Sequence, residues 1–288
     1  MLRDLVRAAR PEQWTKNLLV FAGALFTGDI FYPHSLLIVL ATFACFCLIS
    51  SAGYLMNDIA DVEQDRQHPT KRFRPLPSGK LSVRAVAVTA HLLWIIGLVG
   101  CLLIPGPLLW IAISYLMLTL LYSFWLKQVV ILDVFAIAAG FVLRAVAGAV
   151  AIAVPISSWL LICTTLLALF LALSKRRYEL GLEEAVALRP SLEHYSLGFV
   201  DQMISVVTSA TVISYALYTF TSQTAEQHPA YLMLTIPFVL YGIFRYLYLT
   251  HHRQLGGNPE LLLVQDKPLL INILLWAVVV GLIFYFGH

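Results

Sequence analysis

Long apolar stretches alternate with short polar breaks along the whole chain, and the apolar stretches have the length of a bilayer crossing. Nine of them read as helices, at 17–31, 34–57, 83–104, 107–126, 129–153, 157–174, 201–220, 230–249 and 268–286. A run of about 20 apolar residues spans the hydrocarbon as a helix. In lipid the backbone must satisfy its own hydrogen bonds, and a helix does so. Pro33, the Pro105–Gly106–Pro107 run and Pro155 punctuate the tight connections. Two breaks lengthen into polar loops, at about 58–82 and 175–200. The expected fold is all-α: one polytopic integral membrane helical bundle over residues 1–288, with nine transmembrane helices.

Composition agrees with that pattern. The chain is 60% hydrophobic and only 12% charged, against roughly 25% charged in soluble domains. Its mean hydropathy is +0.82. The first residues, MLRDLVRAARPEQWTKN, are basic and polar, and no cleavable signal peptide is expected. Cys45, Cys47, Cys101 and Cys163 all fall in apolar runs with neither zinc nor redox spacing, so they read as small buried hydrophobes. Phosphate-loop, dinucleotide and hydrolase signatures are absent from the sequence. The lipid bilayer is the expected partner, and nucleic acid is not.

Charge orients the bundle. The N-terminus and the connections after helices 2, 4, 6 and 8 carry almost all of the 19 Lys and Arg residues. Cytoplasmic loops carry the positive excess, so the N-terminus and the long loops are expected in the cytoplasm and His288 outside. All candidate chemistry then faces the cytoplasmic side of a cell membrane.

The densest charge lies in NDIADVEQDRQHPTKRFRPLPSG, residues 57–79. Asp58, Asp61 and Asp65 are spaced three and then four apart, which on a helix continuing from the second span stacks three carboxylates beside Asn57. Such a row repels itself unless a cation sits between its members, and Mg2+ takes carboxylates, waters and substrate phosphates as ligands. Arg66, His68, Lys71, Arg72, Arg74 and Lys80 follow in a proline-rich segment suited to phosphate oxygens. Topology or anionic headgroups account equally well for Arg72 and Lys80, but neither needs the acidic row.

NDxxDxxxD at the end of the second helix resembles the first Asp-rich motif of the UbiA superfamily of membrane prenyltransferases. Five segments narrow the resemblance: RPEQWTKN (10–17), NDIADVEQDRQHPTKRFRP (57–75), YSFWLK (122–127), GFVLRAVAG (140–148) and LALSKRRYEL (171–180). Together they are similar to the branch that joins phosphoribosyl pyrophosphate to a polyprenyl phosphate. One departure bears on the branch. Where prenyl-diphosphate-using members carry a second DxxxD motif, this chain reads Ser174-Lys175-Arg176-Arg177-Tyr178-Glu179, a basic cluster suited to direct phosphate binding.

The resemblance implies Mg2+ on Asp58, Asp61 and Asp65, with Asn57 beside it. It implies substrate contacts from Lys16, Arg66, Lys71, Arg74, Tyr122, Lys127, Arg144, Lys175 and Arg176. Residue chemistry weighs these differently. Arg144 lies deep inside a span, where a charge is expensive and marks function; Asp133, eleven residues back, shares its helix face about 16 Å away. A direct pair between them is therefore not expected, and both read as lining one cavity. Tyr122 and Lys127 also fit an ordinary aromatic belt and a snorkelling lysine. Trp14 reads as an interface anchor. Asp266 resembles a family segment without a clear role. Two rival functions stand beside this one: a prenyl transfer from prenyl diphosphate to an aromatic or other acceptor, and a non-enzymatic lipid carrier or transporter.

Overall fold

The computed structural model describes residues 1–67, 70–182, 190–221, 231–253, 256–257, 262–263 and 265–286. Among these the chain is helical and without strands. Helices α1 (Leu2–Ala8), α2 (Ala22–Thr27), α3 (Pro33–Ala60), α4 (Val62–Gln67), α5 (Val83–Leu103) and α6 (Leu108–Phe124) make up the first half. They are followed by α7 (Leu132–Ala151), α8 (Ser158–Leu180), α9 (Leu197–Thr221), α10 (Ile236–His252) and α11 (Lys267–Phe286).

Among the described residues six helical segments are long and apolar enough to cross a membrane: Pro33–Ala60, Val83–Leu103, Leu132–Ala151, Ser158–Leu180, Leu197–Thr221 and Leu232–His252. Two shorter apolar helices, Leu108–Phe124 and Lys267–Ile283, match two further expected spans. The expected helix at 17–31 is corrected. There the chain forms a 3-10 helix over Pro11–Phe21, then the six residues of α2, which Gly28 ends at φ 78°. The physical reason lies in its neighbours. Asn17 is fully buried and donates to Cys47 Sγ (3.3 Å) and Ser50 Oγ (3.1 Å). The Val20 carbonyl lies so close to Gly148 that a Cβ there would sit 1.7 Å from it. A segment held by polar contacts against a bare glycine winds tightly rather than running as a free α-helix.

Two hydrophobic clusters flank α7. One joins α1, the 3-10 segment, α3, α5 and α6, with Val39, Phe46, Leu55, Val86 and Leu108 at its centre, and takes Ala147 and Ala151 from α7. The other joins α8 to α11, with Phe170, Leu173, Ile204 and Tyr246, and takes Val134 and Ala138 from α7. Helix α7 suits this central place because its buried side is almost all alanine and glycine, which lets neighbours approach closely. Cys45, Cys47 and Cys101 are buried as expected, and Cys163 is half-buried.

Candidate active site

The charged breaks gather at one end of the bundle, because α3 and α6 end there and α7 begins there. Helix α3 stops at Ala60, and Asp61 is its C-cap, with φ −100° and ψ 7° outside the helical region. Helix α4 then starts afresh at Val62. The row expected to stack three carboxylates on one face is therefore broken in its middle. Asp58 and Asp65 fall together, each 2% exposed, and Asp61 turns elsewhere.

Each carboxylate is met by cations from other elements. Arg10 pairs with Asp58. The Arg74 guanidinium bridges two of them, its Nη1 lying 2.7 Å from Asp65 Oδ2 and 3.4 Å from Asp58 Oδ1. Lys71 Nζ is 3.6 Å from Asp65 Oδ1. Lys127, in the short turn after α6, pairs with Asp61, which also accepts from Asn57 Nδ2 at 3.1 Å. Local sequence explains how Arg74 gets there. The residue before a proline is pushed to extended backbone, and Arg74 sits at φ −63°, ψ 153° ahead of Pro75. Pro75, Leu76 and Pro77 are buried, anchoring the loop so that Lys71 and Arg74 fold back over the aspartates.

Three carboxylates thus face four cations, a surplus of positive charge suited to an anionic ligand. A shared three-aspartate metal site is not present in this arrangement. Among the described residues no group of three His, Cys, Asp or Glu could hold a metal ion. Two carboxylates can. Asp58 and Asp65 converge on a single positively charged nitrogen of Arg74, and one or two carboxylates with waters and phosphates are the usual Mg2+ donor set.

The other expected contacts divide. Arg66 points away, donating to Glu63 at 2.7 Å on an exposed face. His68 lies outside the described residues. Lys16 precedes Asn17 on the 3-10 segment and is half-buried, as are Tyr122 and Lys175. Trp14 does more than anchor at an interface: its Nε1 donates to Ser51 Oγ at 3.0 Å. Arg144 is 5% exposed, and its guanidinium donates to Asn17 Oδ1 (2.7 Å), the Gly140 carbonyl (2.8 Å) and the Tyr115 hydroxyl (2.6 Å). It also lies over the Tyr115 ring, 4.6 Å from its centroid.

Asp133 and Arg144 meet different partners, and no direct pair forms between them. Asp133 accepts from Arg176 Nε at 2.7 Å and from the Tyr195 hydroxyl at 2.9 Å. The two α7 residues are a little over three turns apart, so one end of the buried face meets α8 and the other meets α6. Arg176 is 1% exposed and also donates to Glu179 at 2.6 Å. Its Nη2 alone lacks a hydrogen-bond partner among the described residues. Arg177 donates to Asp201 at 2.6 Å. The basic cluster expected to dock phosphate is therefore largely neutralised by Asp133, Glu179 and Asp201. Burial and the neighbouring Asp133 charge push the Tyr195 hydroxyl up to about 12, so it stays a proton donor to that carboxylate.

Arg10 is the residue that sequence reasoning left out of the site. It adopts left-handed backbone, φ 53°, costly for a residue with a side chain. Its guanidinium reaches Asp58 across the Tyr54 ring, 5.4 Å from the centroid. The signal available was its place at the head of RPEQWTKN, next to a proline. Asp266 also gains a role: it clamps Arg245 through two hydrogen bonds (3.0 and 2.8 Å) and caps α11 through Leu269 N (3.0 Å).

A helical membrane bundle with an aspartate-rich mouth defines the class, and the comparison is direct: residues 17–264 match the UbiA prenyltransferase family, and the chain belongs to it. The structure of a UbiA homolog from Archaeoglobus fulgidus bound to GPP and Mg2+ superposes with a TM-score of 0.72 at 18% identity, covering 99% of this chain and 98% of that one. Within the family, the chain is 34% identical to the decaprenyl-phosphate phosphoribosyltransferase of Mycolicibacterium smegmatis, over 100% of this chain and 94% of the relative. It is 37% identical to the protein of that name from Corynebacterium glutamicum, over 95% and 84%.

Proposed function

We propose that the protein transfers a 5-phosphoribosyl group from phosphoribosyl pyrophosphate to a polyprenyl phosphate of decaprenyl type, releasing pyrophosphate. In this reading the aspartate end of the bundle faces the cytoplasm of a cell membrane, and the product supplies cell-wall polysaccharide synthesis. The observation that carries it is the interleaving of Asp58, Asp61 and Asp65 with Arg10, Lys71, Arg74 and Lys127. Carboxylates and cations that neutralise one another at rest are the two halves of a diphosphate–metal site, separated only by a change of partners.

Asp58 and Asp65 would hold Mg2+. Bound there, the metal supplies Lewis-acid neutralisation of the leaving pyrophosphate. Arg74 and Arg10, released from their carboxylates, bind phosphate oxygens of the donor through planar forks. Asp61 positions Lys127 at the same mouth, with Asn57 fixing the carboxylate. The bond from ribose C1 to the pyrophosphate oxygen breaks, and a bond from C1 to an oxygen of the lipid phosphate forms. That phosphate is already an anion, so the chain supplies positioning rather than a general base. Arg144, Asn17 and Tyr115 form a second polar station deeper in the bundle. Its cation has only neutral partners among the described residues, which suits an approaching anionic group.

The test is purified protein in nanodiscs with Mg2+, offered labelled phosphoribosyl pyrophosphate with decaprenyl phosphate, or prenyl diphosphate with an aromatic acceptor. Mass analysis of the lipid fraction should find a phosphoribosylated polyprenyl phosphate, with pyrophosphate released in step. Asp58→Asn, Asp61→Asn and Asp65→Asn should each lower turnover by about 100-fold or more, a loss typical of removing electrostatic stabilisation. Consumption of prenyl diphosphate alone would establish the prenyltransferase reading instead. Consumption of neither donor would point to a carrier.

A further inference from the structure

We propose that the groove between α1 and Lys80 is a binding site for the headgroup phosphate of an anionic phospholipid, in the leaflet at the aspartate end of the bundle. A cavity of about 600 Å3 is lined there by Arg3, Asp4, Val6, Arg7, Pro11 and Lys80. Its one carboxylate, Asp4, lies 3.2 Å from the Met1 amine. The three cations are exposed, and none has an ion-pair partner among the described residues. They also come from two places about 70 residues apart in the chain. Arg3 and Arg7, four apart on α1, stack on one side of the helix, and like charges at that spacing repel. Lys80 adds a third from a loop that turns at Gly79, φ 78°. Three unneutralised cations aimed at one cavity call for a polyanionic oxygen ligand.

The neighbouring surface says which kind. Leu5 and Ala8 pack α1 against the hydrophobic core. Leu2 (76% exposed) and Val6 (52%) stand outward beside the cations. Exposed apolar residues on one side and cations on the other make an interfacial helix. Its depth is set by Arg10, two residues beyond α1, which pairs with Asp58 in the last turn of the membrane-crossing α3. A phosphate bound in this groove can keep its acyl chains along Leu2 and Val6, whereas a soluble phosphate gains nothing from them. The positive-inside tendency accounts for basic residues at this face in general. It does not account for three of them converging without partners. This inference does not depend on which reaction the protein performs.

The experiment is native mass spectrometry of the full-length protein in mild detergent, titrated with phosphatidylglycerol, with phosphatidylcholine and with inorganic phosphate. Each basic residue near an anionic lipid surface adds roughly fivefold to binding. The wild type should therefore retain phosphatidylglycerol at least about tenfold better than phosphatidylcholine. R3Q/R7Q/K80Q should lose that preference, and K80Q alone should lose about fivefold. K80Q, on an exposed loop, guards against a triple variant that fails to fold. The proposal is overturned by undiminished preference in both K80Q and the triple variant, or by equal retention of the two lipids. Displacement of phosphatidylglycerol by millimolar inorganic phosphate would also overturn it and make this a site for soluble phosphate.

Discussion

Replacing Arg176 by methionine should destabilise the protein sharply, and adding Asp133→Leu to the same chain should restore most of the loss. The two side chains are 1% and 0% exposed and 2.7 Å apart, one near the end of α8 and the other in the first turn of α7. Removing one partner leaves a buried charge without its counterion, which costs about 3–5 kcal/mol. After Arg176→Met, Asp133 still accepts from the Tyr195 hydroxyl but loses the guanidinium that balances its charge, while Glu179, 18% exposed, turns to water. Removing both charges in favour of apolar groups of similar volume is about neutral, or stabilising by 1–4 kcal/mol.

For a chain of this size each kcal/mol moves the unfolding midpoint by about 2–4 °C. The single variant should therefore melt about 10 °C lower and the double variant near the wild type. Cys45, Cys47 and Cys101 are buried, so a thiol-reactive dye reports the transition directly. A double variant as fragile as the single one would refute the pairing argument. An Arg176→Met protein that melts like the wild type yet turns over no substrate would refute the structural role and return Arg176 to phosphate binding.

Gly148→Ala should prevent normal packing of the 3-10 segment, because the new Cβ meets the Val20 carbonyl, and overpacking of this kind costs about 1–3 kcal/mol or more; the dye assay and expression yield read it. Arg10→Gln should lower turnover at least about tenfold with a smaller loss of melting temperature than Arg176→Met, since Arg74 stays beside the buried Asp58, and Arg10→Lys should recover part of the turnover. Asp266→Ala should lose about 1 kcal/mol through the α11 cap alone. The hydrogen bonds from Arg245 hold the Asp266 carboxyl below the ordinary carboxylate range, so its contribution is present above that range and fades as pH falls through its folded value. Wild type and Asp266→Ala should accordingly converge in melting temperature on acidification.

What the sequence made legible divides along a physical line. Apolar runs report helices wherever the chain meets lipid, and six membrane-length segments follow from them within a few residues. The same logic failed at 17–31, where the environment is protein: a buried Asn17 and a carbonyl against Gly148 set the winding, and hydropathy does not register either. In the site, residue types were legible and pairings were not. Spacing alone stacks Asp58, Asp61 and Asp65, but the helix ends at Asp61, and one C-cap sends that carboxylate to Lys127. Arg144 was marked by its depth in a span, whereas Asp133 in the first turn of α7 and Arg176 near the end of α8 carry no such mark and are found by their burial, 0% and 1% exposed. Asp133 opens the helix whose far end runs away from the mouth, and Arg176 closes the helix that returns to it. Two opposite charges buried at the same end of neighbouring helices meet, since an unpaired buried charge is costly. The basic cluster in the last turns of α8 is first the counter-charge of α7 and α9, which in the proposed reading leaves phosphate binding to the cations paired with the aspartates of α3 and α4.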